Sequence, residues 1–134
     1  MKREQRILAI TGDGEVVVSV LYRGRLWFES VDVRILRQES SIEEALRSKY
    51  FNQARTVVID ERLLMSYDGD LERALATLKS MGGKVDVVIV RNGGDEHSRE
   101  RDRHEGTSYQ GNFLEALRVA RKIFYEVRKV IQEN

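Results

Sequence analysis

The chain contains no cysteine, which excludes disulfides, thiolate metal sites and cysteine nucleophiles. It also has almost no net charge: 23 lysines and arginines against 22 aspartates and glutamates leave +1. A global attraction to nucleic acid is therefore absent, and any such binding would need a local basic patch. No apolar run approaches the ~18 residues that a membrane span requires. Nor does Met1-Lys2-Arg3-Glu4-Gln5-Arg6 lead into an apolar stretch long enough for a signal peptide. A cytoplasmic protein without a membrane partner is the expectation. Phosphate-binding loops, dinucleotide fingerprints and Ser-His-Asp arrangements are missing too, and Gly12-Asp13-Gly14 is too short to cradle a nucleotide.

What is present suits one folded domain spanning 1–134. The chain has 134 residues, of which 41% are hydrophobic and 34% charged, enough to bury one core and too apolar for disorder. Mixed charge at that density makes a surface laced with ion pairs, a habit of proteins from hot environments.

The order of elements is legible. Ile7 to Thr11 is a short apolar run ending at the hairpin signal Gly12-Asp13-Gly14. Glu15 to Tyr22 is rich in valine and too short for a buried helix. Arg23-Gly24 marks the next turn, and Arg25 to Leu36 alternates Trp27, Val31, Val33 and Ile35 with Glu29, Asp32 and Arg34. The alternation breaks between Glu29 and Val31, as a bulge would make it do. These three strands form an antiparallel meander.

Ser41 and Glu44 make a capping box for a helix from Ile42 to about Phe51. Thr56 to Ile59 is apolar without alternation, as in a central parallel strand, and closes on Asp60-Glu61. A second helix is predicted over Leu71 to Met81, a fifth strand over Val85 to Val90, and a last helix over about Tyr109 to Gln132. Gly106-Thr107-Ser108 supplies its cap and a candidate anion site. Strands alternating with helices imply parallel pairing. The fold class is thus α/β, a mixed five-stranded sheet of order 3-2-1-4-5 flanked by helices.

In such sheets ligand sites form at the carboxyl ends of parallel strands. Acids follow all three relevant ends: Asp13 after the first strand, Asp60 and Glu61 after the fourth, Asp95 and Glu96 after the fifth. Carboxylates brought together repel unless a cation joins them, and Mg²⁺ or Mn²⁺ is the usual one. Asp13 within Gly-Asp-Gly also reads simply as a turn residue, and Asp95 as a solvated loop charge. Arg99, Arg101 and Arg103, flanked by His97 and His104, lie in the charged stretch Asn92 to Gly106. They are the candidate phosphate grip, although Glu100, Asp102 and Glu105 dilute the positive field. That stretch carries nothing apolar to offset the cost of ordering it, so mobility is expected until an anion binds. Tyr22, Trp27 and Phe28 fit core packing, or a base-stacking platform.

The layout, with Arg6-Ile7-Leu8-Ala9-Ile10-Thr11 opening the chain and Val57-Val58-Ile59-Asp60-Glu61 on the fourth strand, resembles the ribonuclease H-like superfamily. It looks closest to small archaeal proteins related to endonuclease V. The resemblance implies a nuclease that cleaves DNA or RNA with Mg²⁺ or Mn²⁺. Asp60, Glu61 and Asp13 would be catalytic and, with Asp95, would hold the metal, while the three arginines grip nucleic acid. The chain departs from that pattern at the end of the first strand, where an acid is usual and Thr11 stands. The rival expectation is accordingly a catalytically inactive module of the same fold that binds nucleic acid or protein. A homodimer is the default assembly for a domain of this size.

Overall fold

In the computed structural model of the protein, the described residues are 6–24, 27–36, 41–47, 50–67, 72–73, 76, 80, 86–91 and 107–133. Five strands, β1 (Arg6–Gly12), β2 (Val16–Arg23), β3 (Trp27–Ile35), β4 (Thr56–Asp60) and β5 (Asp86–Val90), form one sheet of order β3-β2-β1-β4-β5. β1, β2 and β3 pair antiparallel, whereas β4 runs parallel to both β1 and β5. This is the sheet order and the pairing that the sequence predicts.

The turn chemistry explains the meander. Gly12 has φ +152°, and a Cβ there would lie 2.2 Å from the Val16 carbonyl oxygen, so only glycine fits. Asp13 then builds the hairpin, its Oδ1 accepting from the amides of Glu15 and Val16, each at 2.8 Å. On β3 the register shifts opposite Leu21 and Tyr22, so that Glu29 is the extra residue of a bulge. The bulge has a visible use. It aims Glu29 at the Nε atoms of Arg6, at 3.0 Å, and Arg23, at 3.7 Å.

Helices cover both faces. α1 (Ile42–Leu46) begins at Ser41, whose hydroxyl accepts from the Glu44 amide at 3.3 Å. The expected helix to Phe51 is shorter than its pattern: α1 closes at Leu46, and a separate 3-10 turn covers Phe51–Gln53. α2 (Glu61–Met65) follows β4 directly and was not expected from sequence, because five residues are too few to show a helical period. Residues 72, 73, 76 and 80 are helical, as predicted for that region. The long helix α3 (Thr107–Glu133) matches the predicted last helix within two residues at its start.

Period-two alternation in β1 and β2 divides the core. Leu8, Ile10, Val17 and Leu21 pack under α1 and α2 with Leu46, Ile59 and Leu63. Ile7, Ala9, Val18 and Val20 face α3, meeting Phe113, Ala116, Leu117, Ala120 and Phe124. α3 lies over β1 and β2, which places its second half above the carboxyl ends of β1 and β4. No helix of the described residues is long and apolar enough to cross a membrane.

Candidate functional site

β1 and β4 are in parallel register, with Ile10 beside Ile59, so Thr11 and Asp60 emerge side by side at the strand ends. Asp60 is 1% exposed. A carboxylate so far from water must have its oxygens satisfied by the protein. Thr11 donates its hydroxyl to Oδ2 at 2.7 Å, and Arg62 donates its amide to Oδ1 at 3.1 Å. From α3, Arg121 donates Nε to Oδ2 at 2.8 Å and Nη2 to Oδ1 at 3.1 Å. The two-point fork matches the planes of guanidinium and carboxylate. Asp60 is also the N-cap of α2.

Burial acts to raise the pKa of Asp60, but the hydrogen bonds from Arg121 and Thr11, the charge of Arg121 and the Arg62 amide outweigh it. The net result lies below the ordinary value. Asp60 is therefore a permanent anion at neutral pH, and its charge is already neutralised.

The other predicted acids stand apart from it. Asp13 uses Oδ1 for its own turn, and its Oδ2 faces Arg128 Nε at 3.4 Å. Arg128 also holds Glu15 at 2.6 Å. Glu61, on the first turn of α2, points towards Arg91 at 3.8 Å. Asp95, Arg99, Arg101 and Arg103 lie outside the described residues, as does the expectation of a mobile loop around them. Among the described residues no group of three or more His, Cys, Asp or Glu side chains could hold a metal ion. Among the described residues, the donors that the resemblance implies do not fit Mg²⁺ or Mn²⁺: both oxygens of Asp60 point into a guanidinium, and Asp13 and Glu61 answer to separate arginines.

Arg121 is the residue that reading the sequence missed. Its signal was there, since it lies four residues after Leu117 and three before Phe124, at the margin of an apolar stripe. A cation at such a position can snorkel to water or meet a buried anion, and here it does the second. Arg128 recurs seven residues later on the same face. Beside this pair a shallow groove runs past Asp13, Arg62, Tyr125, Arg128 and Lys129. Arg62 reaches the Tyr125 hydroxyl at 2.8 Å, with its guanidinium carbon 5.5 Å from the ring centroid. Lys129 pairs with Glu126 at 3.7 Å. Arg128 and Lys129 are thus matched by neighbouring acids, whereas Arg62 is held by Tyr125. Of the meander aromatics, Tyr22 is buried and meets Phe28 edge-on with centroids 5.6 Å apart, while Trp27 is 68% exposed. Core packing accounts for Tyr22 and not for Trp27.

No protein-family model matches the chain, and neither a characterised protein nor a solved structure matches it.

Proposed function

We propose that this chain is a ribonuclease H-like domain whose strand-end acid is a structural anchor, and that it works as a protein-interaction module. The observation that carries the reading is the Thr11-Asp60-Arg121 cluster. Asp60 occupies the place where such folds keep a metal-binding carboxylate, but four donors from Thr11, Arg62 and Arg121 saturate it. Thr11, where a second acid would stand, is itself one of those donors. Metal binding would require displacing Arg121 from a bidentate grip on the buried carboxylate, and no second carboxylate among the described residues converges on Asp60 to help.

Between a protein and a nucleic acid as partner, the charge pattern favours protein. In the groove beside the cluster, Arg128 pairs with Asp13 and Glu15 and Lys129 with Glu126, while Arg62 is turned onto Tyr125. Phosphate binding draws its strength from unpaired cations that release counterions. The meander edge instead exposes apolar side chains, the usual material of protein interfaces.

The direct trial is incubation of labelled single-stranded DNA, duplex DNA and RNA with Mg²⁺ or Mn²⁺. No cleavage is expected, and calorimetry should show no Mg²⁺ or Mn²⁺ site at millimolar concentration. Cleavage that disappears in Asp60→Asn would overturn this reading in favour of a metal-dependent nuclease. Tight, salt-sensitive binding of the same nucleic acids without cleavage would leave the inactive fold but replace the partner class.

A further inference from the structure

We infer that a second copy of this chain pairs with it along β3, antiparallel and in a register centred on Val33. The inference concerns the far edge of the sheet and does not depend on the reading of Asp60.

β3 is an edge strand whose alternation is turned the wrong way for a monomer. Val31, Val33 and Ile35 lie opposite Val20, Val18 and Val16, so they share the α3 face of the sheet. There they are 40%, 41% and 66% exposed, because α3 covers β1 and β2 and stops short of β3. The other face of β3 carries Asp32 and Arg34, which lie 3.7 Å apart. Arg34 donates to the carbonyls of Glu44 and Ala45 at the end of α1. The apolar stripe continues onto α3 as an open groove walled by Ile35, Ile123, Val127, Val130 and Ile131. Natural edge strands are usually blunted by lysine, proline or shortness. β3 has nine residues, no lysine and no proline. Its bulge lies at Glu29, near its start, and leaves Ser30 to Ile35 in regular register. Its inward-facing charges, Asp32 and Arg34, are already engaged with each other and with α1.

The backbone is set to pair. Leu36 donates its amide inward to the Glu15 carbonyl at 2.6 Å. Antiparallel alternation then turns the N–H and C=O groups of Val31, Val33 and Ile35 outward. Consistent with this, the Val31 carbonyl meets the Tyr50 hydroxyl at 3.4 Å, a long contact that leaves its second lone pair available.

Charge chooses the register. Centring a two-fold on Val33 sets Asp32 of each copy opposite Arg34 of the other, and Val31 opposite Ile35. Centring on Asp32 opposes two aspartates, and centring on Arg34 opposes two arginines. A centre at Val31 would carry the pairing through the Glu29 bulge. Opposite charges across a strand pair stabilise it and like charges destabilise it, and a centre at Ile35 sets Arg34 opposite Leu36 with no charge pair gained, so the Val33 register is the favoured one. It also joins the two apolar stripes into one surface between the α3 helices, an isologous contact of the kind that closes a dimer.

The test uses the absence of native cysteine. In this register the two Val33 residues form a hydrogen-bonded pair with Cα atoms ~5.5 Å apart, within disulfide range. The two Val31 residues lie four positions apart along the strands, ~14 Å. Wild-type protein should sediment as a dimer, and Val33→Lys as a folded monomer with an unchanged circular dichroism spectrum. Under mild oxidation Val33→Cys should cross-link nearly completely and Val31→Cys hardly at all. A wild-type chain that sediments as a monomer overturns the proposal. Equal cross-linking of the two cysteine variants overturns the register.

Discussion

Arg121 grips Asp60 through two separate nitrogens, Nε at 2.8 Å and Nη2 at 3.1 Å, joining the middle of α3 to the end of β4. The carboxylate is 1% exposed while the Arg121 side chain is one-third exposed, so the anion is the partner that depends on the pair. Breaking one side of such a pair strands the other charge, which costs far more than the net worth of the intact pair. Arg121→Met, which leaves the buried carboxylate unpaired, should therefore lower stability by ~3 kcal/mol, measured by urea denaturation at neutral pH, and Asp60→Asn by less, since it leaves a guanidinium that water can reach. Replacing both partners, as Asp60→Leu with Arg121→Met, should recover part of that loss. An additive double mutant would mean that the two side chains are not coupled.

The same carboxylate sets a pH dependence. Its pKa is lower in the folded chain than the ordinary 3.8 expected when unfolded. A depressed acid contributes stability that is fully present above the unfolded value and is lost as pH falls through the folded one. The stability gap between wild type and Asp60→Asn should be constant from neutral pH down to about pH 5. It should shrink as the medium is acidified below the ordinary carboxylate value. Urea midpoints for both proteins across that range provide the check, and a gap that widens on acidification would contradict the assignment.

Thr11 is fully buried, and its hydroxyl is 2.7 Å from Asp60 Oδ2. Thr11→Val keeps the shape and removes the donor. A hydrogen bond to a charged group contributes ~1.5–3 kcal/mol, and the same loss is expected here. Thr11→Ser should retain most of the stability, since it keeps the hydroxyl. Thermal or urea unfolding of the two variants separates the donor from the methyl group.

Gly12 and Gly14 flank Asp13 but differ in kind. Gly12→Ala meets the Val16 carbonyl and an unfavourable φ of +152°, so a loss of ~2 kcal/mol or more is expected. Gly14 has nothing within 4 Å of its hypothetical Cβ, and Gly14→Ala should be near neutral. Equal effects would show that the hairpin does not depend on the conformation at Gly12.

Ser19 in the middle of β2 is fully buried, and its hydroxyl has no hydrogen-bond partner among the described residues. An unsatisfied buried hydroxyl costs ~1–3 kcal/mol. Ser19→Ala should accordingly raise the unfolding free energy by ~1 kcal/mol, visible as a higher urea midpoint with unchanged slope.

By itself the sequence determined the sheet. Gly12-Asp13-Gly14 and Arg23-Gly24 fix two hairpins locally, valine-rich alternation marks the meander, and the unbroken Val57-Val58-Ile59 run marks a strand buried on both faces. Hydrophobic period and turn chemistry are short-range signals, and they carried the order β3-β2-β1-β4-β5. Only the tertiary structure decided what the acids do. Asp60 is 61 residues from Arg121 and 49 from Thr11, and nothing in its neighbourhood along the chain says whether a strand-end carboxylate meets a cation or other acids. Whether β3 is covered was equally hidden. Its alternation shows that one face is apolar, but the reach of α3 across β2 depends on how a helix packs on a twisted sheet, which no local pattern encodes.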